Sequence, residues 1–156
     1  MTKKKLLLTH CGHSEVPLIV AAKNLGWYVI AVSDNLKNVG HSFADENFCG
    51  NFADDEFIFQ LAKKLNVDAI VSGCEDVAYL SAAYACEKLN LPGHDSYEVA
   101  KIIHNKMLFR GVMSELNLPT PKFVTCTDSE KLFETGEKVG FPLIVKPVDL
   151  NSGIGC

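Results

Sequence analysis

The chain has 156 residues, of which 47% are hydrophobic and 22% are charged, and its formal net charge is −4. This length fits about one globular domain, and the composition is too apolar for a disordered chain and too mixed for a membrane protein. The acidic balance argues against a protein that binds nucleic acid through bulk positive charge. We therefore expect no nucleic-acid partner.

The apolar runs and the cysteines indicate the cellular setting. The N-terminal apolar run Leu6–Leu8 is shorter than the roughly 7–15 residues of a secretory signal, and no stretch approaches the ~18 apolar residues of a membrane span. The six cysteines form no C-x-x-C motif. These features predict a reduced, cytoplasmic protein without a membrane partner.

Strand and helix patterns alternate through roughly the first 117 residues. Apolar runs without polar alternation are typical of parallel strands covered on both faces, and such runs fall at 5–9, 28–32 and 68–71. The less regular stretch between the second and third of these runs contains one more predicted short strand, at 47–49. Helices are predicted from an N-cap at Ser14 to Leu25, from Asp54 or Asp55 to Leu65, and at 76–89, 96–103 and 105–116.

This order of elements predicts an α/β fold: a Rossmann-like, doubly wound parallel sheet of four or five strands with helices on both faces. In such a sheet, ligands bind at the carboxyl ends of the strands. The loops predicted to face a ligand are therefore 10–14, 33–46 and 72–77.

A linker at Leu118-Pro119-Thr120-Pro121 predicts a domain boundary after residue 117, because two prolines stop the preceding helix and stiffen the exit. A strand is predicted at 122–126, then a helix that starts at a capping box of Thr127 and Glu130, and then a strand at 142–146. Residues 118–156 thus read as an incomplete β-α-β start of a second domain.

The segment around Lys146 carries the strongest chemical signal. A lysine follows an apolar strand, and an ammonium group suits phosphate oxygens. Ser152, Gly153 and Gly155 follow within the next nine residues, and small residues let backbone N–H groups approach an anion closely. The alternative is a solvated lysine beside a glycine turn, since the chain has neither a Walker motif nor a G-x-G-x-x-G motif.

Several segments, taken in order and spacing, resemble the ATP-grasp ligases, above all the branch of the carbamoyl-phosphate synthase large chain and biotin carboxylase. They are Asn105-Lys106, Arg110, 115–121, the strand Phe141–Pro147 and the loop 151–155. The first 100 residues are similar to the Rossmann-like domain that precedes the grasp in this family. The resemblance covers the whole chain, but the chain covers only the first part of the family.

The resemblance implies ATP-driven, ADP-forming ligation. In that chemistry a carboxylate or bicarbonate becomes an acyl phosphate, which an amine or similar nucleophile then attacks. By position, Lys106 and Lys146 correspond to the family's two basic ATP contacts, and Ser152, Gly153 and Gly155 to its loop over the phosphates. The expected cofactors are ATP and Mg²⁺, and the expected partners are small-molecule carboxylate and amine substrates, with a homodimer as a further option.

The resemblance also implies what this chain lacks. In the family, the acids that bind Mg²⁺ and most of the adenine pocket come later in the fold. We therefore expect the Mg²⁺ ligands to lie outside this chain, no catalytic residue within it, and no activity of the chain on its own.

Other polar residues have weaker readings. His10, Cys11 and His13 contain metal-binding groups, but no second cluster completes a site, so an ordinary loop is favoured. Glu75 follows a predicted parallel strand and is a candidate substrate contact, or else it only starts the next helix. Asp34 ends a strand where some Rossmann domains bind ribose, although the glycine fingerprint is missing.

Two other functions stay open at the level of the sequence. One is a non-catalytic α/β module that binds a nucleotide or another ligand. The other is the dinucleotide-binding domain of an oxidoreductase, against which the first loop counts, because Gly12 is its only glycine.

Overall fold

The computed structural model describes residues 2–150. By its internal contacts the chain divides into two compact units, one that ends at Lys101 and one that begins at Ile102. The domain boundary predicted after residue 117 remains a proposal about the whole protein. No helix within the described range is long and apolar enough to cross a membrane.

The first unit is built on a four-stranded parallel sheet, as predicted. Its strands are β1 (Lys5–Thr9), β2 (Tyr28–Ser33), β3 (Glu46–Cys49) and β4 (Ala69–Ser72), in the spatial order β3-β2-β1-β4. Leu7 pairs with Ile30 of β2 on one side and with Ile70 of β4 on the other. The chain therefore builds outward from β1 in one direction and then returns to add β4 on the opposite side.

Helices cover both faces of this sheet, which confirms the predicted architecture. Leu7 is buried on one face together with Ile58 of helix α2 (Asp55–Leu65) and Ala82 of helix α3 (Asp76–Leu89). On the opposite face, Leu8 is buried against Ile19 of helix α1 (Val16–Asn24). Successive residues of a strand point to opposite faces, so the run Leu6–Leu8 supplies both cores.

Part of the α1 face is an open apolar groove. Leu8, Leu18, Leu25, Trp27 and Val71 line it together with their apolar neighbours. The Leu25 side chain is 79% exposed. On this side of the unit the apolar side chains of Leu18 and Leu25 are therefore exposed to water.

Local capping sets the helix ends. The Asp54 carboxylate accepts a hydrogen bond from the Phe57 N–H at 2.9 Å and so starts α2 as predicted. Asn66 and Asn90 end α2 and α3 in the left-handed conformation, which asparagine tolerates better than most residues. The predicted cap at Ser14 is wrong, because α1 begins at Val16 after Glu15.

The second unit contains helical segments and extended chain. Helix α4 (Tyr97–His104) runs across the division between the units, and helix α5 (Lys106–Glu115) follows it. The predicted cap Asn105 is confirmed, because its side-chain oxygen accepts hydrogen bonds from the Met107 and Leu108 N–H groups.

The predicted β-α-β pattern of the second unit is corrected in detail. No strand forms at 122–126 or 142–146 within the described residues. A strand needs hydrogen-bonded neighbours, and a lone extended segment has none. The helix starts as a 3₁₀ turn at Ser129–Lys131, with Asp128 rather than Thr127 as its cap, and continues as α6 (Leu132–Glu137).

Candidate functional site

The edge of the first unit that is predicted to face a ligand lies at the carboxyl ends of β1 and β4. The helices that follow these two strands, α1 and α3, cover opposite faces of the sheet, which makes the crevice between the strand ends the usual ligand position in an open α/β sheet. The Gly73 N–H donates to the Thr9 carbonyl at 2.8 Å and so draws the loop after β4 against the end of β1. Two of the three predicted ligand loops therefore meet here.

A buried carboxylate joins these two loops. Glu15, which is only 1% exposed, accepts a hydrogen bond from the Cys74 N–H at 2.7 Å through Oε1. Its Oε2 lies 3.2 Å from Nδ1 of His10. Burial raises the pKa of Glu15, but the Cys74 N–H and His10 outweigh burial and hold the pKa below its ordinary value.

Glu75, the predicted substrate contact, lies at the same edge. It is half-buried and immediately precedes α3 in an extended conformation, and its side chain does not cap the helix. Asp76 is the first helical residue and is exposed. The position agrees with the predicted loop, and the contact of Glu75 with a substrate stays a prediction.

The first loop does not bring its metal-binding residue types together. Cys11 is fully buried and His13 is exposed. Burial, followed by the charges of Glu15 and Asp34, raises the pKa of the Cys11 thiol despite a hydrogen bond with Ser33. Among residues 2–150, no group of three or more His, Cys, Asp or Glu side chains is arranged to hold a metal ion.

The sequence did not reveal a hydrogen-bonded chain in the third predicted loop. His41, 6% exposed, lies 2.8 Å through Nε2 from the Ser33 hydroxyl and 2.7 Å through Nδ1 from Oδ1 of Asn47. The Asn47 amide donates to the His41 carbonyl at 3.0 Å, so Asn47 Oδ1 acts as the acceptor and the network assigns the proton to Nδ1. These hydrogen bonds connect the loop to Ser33 at the end of β2 and to Asn47 in β3. Asp34 is exposed beside the loop.

In the second unit, Lys106 binds the segment that follows Lys146. The Lys106 backbone N–H donates to the Val148 carbonyl at 2.8 Å, and its ammonium donates to the Leu150 carbonyl. The first residue of α5 therefore contacts the chain two and four residues beyond Lys146. An ammonium carries three donors, so two remain after the bond to Leu150.

Lys146 itself is exposed, and its ammonium makes no hydrogen bond or ion pair with any residue in the described range 2–150. Ser152, Gly153 and Gly155, the predicted phosphate loop, lie outside the described residues. Arg110, on α5, donates to the Thr120 hydroxyl at 2.6 Å and so fixes the proline-rich segment to the helix.

Comparison with known proteins supports the resemblance to the ATP-grasp ligases. The chain is 31% identical over 97% of its length to formate-dependent phosphoribosylglycinamide formyltransferase from Prochlorococcus marinus subsp. pastoris and covers 39% of that protein. The corresponding protein from Pyrococcus furiosus is 26% identical over 97% of the chain, which covers 35% of it. No family model matches the chain.

Solved structures give the same relationship. The structure of phosphoribosylglycinamide synthetase from Anaerococcus prevotii matches 96% of this chain with a TM-score of 0.75 and 29% identity, and the chain covers 38% of it. The biotin carboxylase domain dimer of the Hydrogenobacter thermophilus 2-oxoglutarate carboxylase, in complex with MgADP, ADP and bicarbonate, has a TM-score of 0.69. At 22% identity over 91% of this chain and 34% of its own, it shares the fold.

The predicted resemblance is thus confirmed: the homologues are ATP-grasp ligases. The chain spans less than two-fifths of the length of each relative described here. What they share with it is their amino-terminal part, which includes the parallel sheet.

Proposed function

We propose that the full-length protein is an ADP-forming ligase that uses ATP to activate a carboxylate or bicarbonate as an acyl phosphate. An amine or similar nucleophile then displaces phosphate. The substrates are small molecules, Mg²⁺ bridges the phosphates, and its ligands lie outside this chain. A homodimer belongs to the proposal, and sedimentation of the full-length protein tests it.

The contact between Lys106 and the segment after Lys146 carries this proposal. Lys106 and Lys146 correspond to the family's two basic ATP contacts. Lys106 donates hydrogen bonds to the carbonyls of Val148 and Leu150, so the segments that carry the two lysines are hydrogen-bonded to each other. Lys146 points its charge into solvent, free to meet an anion. Two ammonium groups suit a polyphosphate, since each contributes a positive charge and several donors, and the sequence continues after Leu150 into a glycine-containing segment.

The test is a pair of lysine variants in the full-length protein. Lys146→Ala removes one charge-assisted hydrogen bond to phosphate, which contributes about 1.5–3 kcal/mol. We expect the kcat/KM for ATP to fall at least about tenfold, and Lys106→Ala to act in the same direction. Lys64→Ala is the control, because Lys64 is an exposed lysine at the end of α2. Unchanged ATP kinetics in both Lys146→Ala and Lys106→Ala would refute the assignment.

The 156-residue chain alone gives a second test. Without the later Mg²⁺ ligands and most of the adenine pocket, little apolar burial offsets the cost of association. We expect the dissociation constant for MgATP to be about millimolar or weaker by calorimetry, and no phosphate release. Micromolar affinity or turnover would instead support a complete nucleotide-binding module. Tight binding of NADH would support the oxidoreductase alternative.

A further inference from the structure

We propose that Glu15 is a positioning residue that locks the loop after β1 to the loop after β4 and gives the ligand-facing edge of the first unit one fixed shape. The proposal rests on the proposed function in one respect, because it assumes that this edge faces the substrate. The lock itself is a property of the 156-residue chain. Its tests need no ATP, so their failure is distinguishable from a failure of the proposed function.

The carboxylate bridges two segments that are far apart in the sequence. Its Oε1 accepts the Cys74 N–H at 2.7 Å across a separation of 59 residues. Its Oε2 lies 3.2 Å from Nδ1 of His10, the residue that follows β1 and has a φ of 70°. A buried carboxylate is stable only when polar partners surround it, and here the Cys74 N–H lies against one oxygen and the His10 ring against the other.

Two glycines make room for this side chain. A Cβ on Gly73 would lie 2.7 Å from both Cγ and Oε1 of Glu15. On Gly12, it would lie 3.0 Å from Cε1 of His10 and 3.2 Å from Oε2 of Glu15. Neither glycine has a positive φ that would exclude alanine. A Cβ on Gly73 would therefore be resisted by the Glu15 side chain itself, whereas a Cβ on Gly12 would require only small shifts of His10 and Glu15.

The geometry also fixes what the edge offers a ligand. The Cys74 N–H, at the carboxyl end of β4, points at Glu15 rather than at the crevice. In many α/β proteins such N–H groups bind an anionic group of the ligand. In this chain an internal carboxylate takes that place, so the loops are held in position before any ligand arrives.

A double-mutant cycle tests the lock through the space between Gly73 and Glu15. Hydrogen exchange of the buried β1 and β2 amides gives the unfolding equilibrium constant of the first unit. We expect Gly73→Ala to raise this constant about tenfold in the wild-type background, because one extra methyl group overpacks a filled site. In the Glu15→Ala background we expect the penalty to fall to about threefold or less.

Glu15→Gln is the matched variant for shape. Glutamine fills the same space and keeps an oxygen for the Cys74 N–H, so the Gly73→Ala penalty should stay at about tenfold there. An equal penalty in the Glu15→Ala and wild-type backgrounds would overturn the proposal. A penalty that disappears in Glu15→Gln would also overturn it, because shape would then not be the cause.

Alkylation of Cys74 tests the lock in a variant that keeps the fold. Cys74 is exposed. The pKa of its thiol is still raised, first by the partial loss of water around it and then by the negative charge of Glu15. In Glu15→Gln the charge is gone, so iodoacetamide at neutral pH should alkylate Cys74 faster than it does in the wild-type chain. Cys49, also exposed, serves as the reference in the same sample. An unchanged ratio of the two rates would overturn the proposal even if Glu15→Ala fails to fold.

Discussion

Replacing His41 by alanine should destabilise the first unit by about 3 kcal/mol. The imidazole is 6% exposed, and it bridges the Ser33 hydroxyl and Oδ1 of Asn47 at 2.8 and 2.7 Å. Each of these hydrogen bonds contributes about 1 kcal/mol net. Removal of the ring from its buried position contributes a further ~1–2 kcal/mol.

The neighbours of His41 limit the loss. Without the imidazole, the Ser33 hydroxyl can donate its one proton to the Asn35 carbonyl, 3.0 Å away, so no buried hydroxyl is orphaned. Asn47 lies on an exposed position of β3, where water can reach the freed oxygen. We therefore do not expect His41→Ala to reduce the stability by well above 5 kcal/mol. A loss of that size would need an unpaired buried charge or a large rigid cavity.

The assay is hydrogen exchange of the buried β2 amides, which reports the free energy of opening of this unit alone. His13→Ala is the control, because His13 is exposed on the loop after β1 and surface substitutions usually change stability by less than about 0.5 kcal/mol. An effect of His41→Ala below ~1 kcal/mol would refute the reasoning, since the two hydrogen bonds would then contribute nothing beyond those to water.

Three further predictions follow from single residues. The pKa of Glu15 is lowered from its ordinary value of 4.5, so its ionised form stabilises the fold above that value, and this stability is lost as the pH falls through the lower folded-state pKa. In acid unfolding, Glu15→Gln should therefore flatten the pH dependence. An unchanged curve would count against a lowered pKa of Glu15. Asn66 has a φ of 50° at the end of α2, so Asn66→Gly should leave the melting temperature unchanged or higher, whereas Asn66→Ala should lower the stability by about 1 kcal/mol. A Cβ on Gly111, within α5, would meet no atom within 4 Å, so Gly111→Ala should stabilise that helix by roughly 0.5–1 kcal/mol, measured as slower amide exchange across α5.

Local signals in the sequence were sufficient for most of the first unit. The apolar run at 5–9 and the cap residue Asp54 define β1 and the start of α2 without help from distant residues. The predicted helix at 76–89 also has the bounds that the structure gives α3. Such elements can be predicted because their patterns are periodic and their caps lie within four residues of the groups they bind.

The remaining features depend on contacts between distant residues. The hydrogen bond of Glu15 with Cys74 forms only because β1 and β4 are neighbours in the sheet, and a charge near a helix start gives no sign of it. The hydrogen bond between Ser33 and His41 depends in the same way on the path of one loop. The strands predicted at 122–126 and 142–146 were wrong because β-propensity describes side chains, whereas a strand requires a partner.

The open groove beside α1 has a spectroscopic consequence. Trp27 is the only tryptophan in the chain, and it lines that groove next to Leu25 and Val71. Its indole ring is half-buried, with the Lys4 ammonium 5.8 Å from the ring centroid. The intrinsic fluorescence of the chain therefore reports on one known surface. A partner or a further part of the full-length protein that covers this surface should shift the tryptophan emission to the blue and protect it from iodide, and no label is needed to observe it.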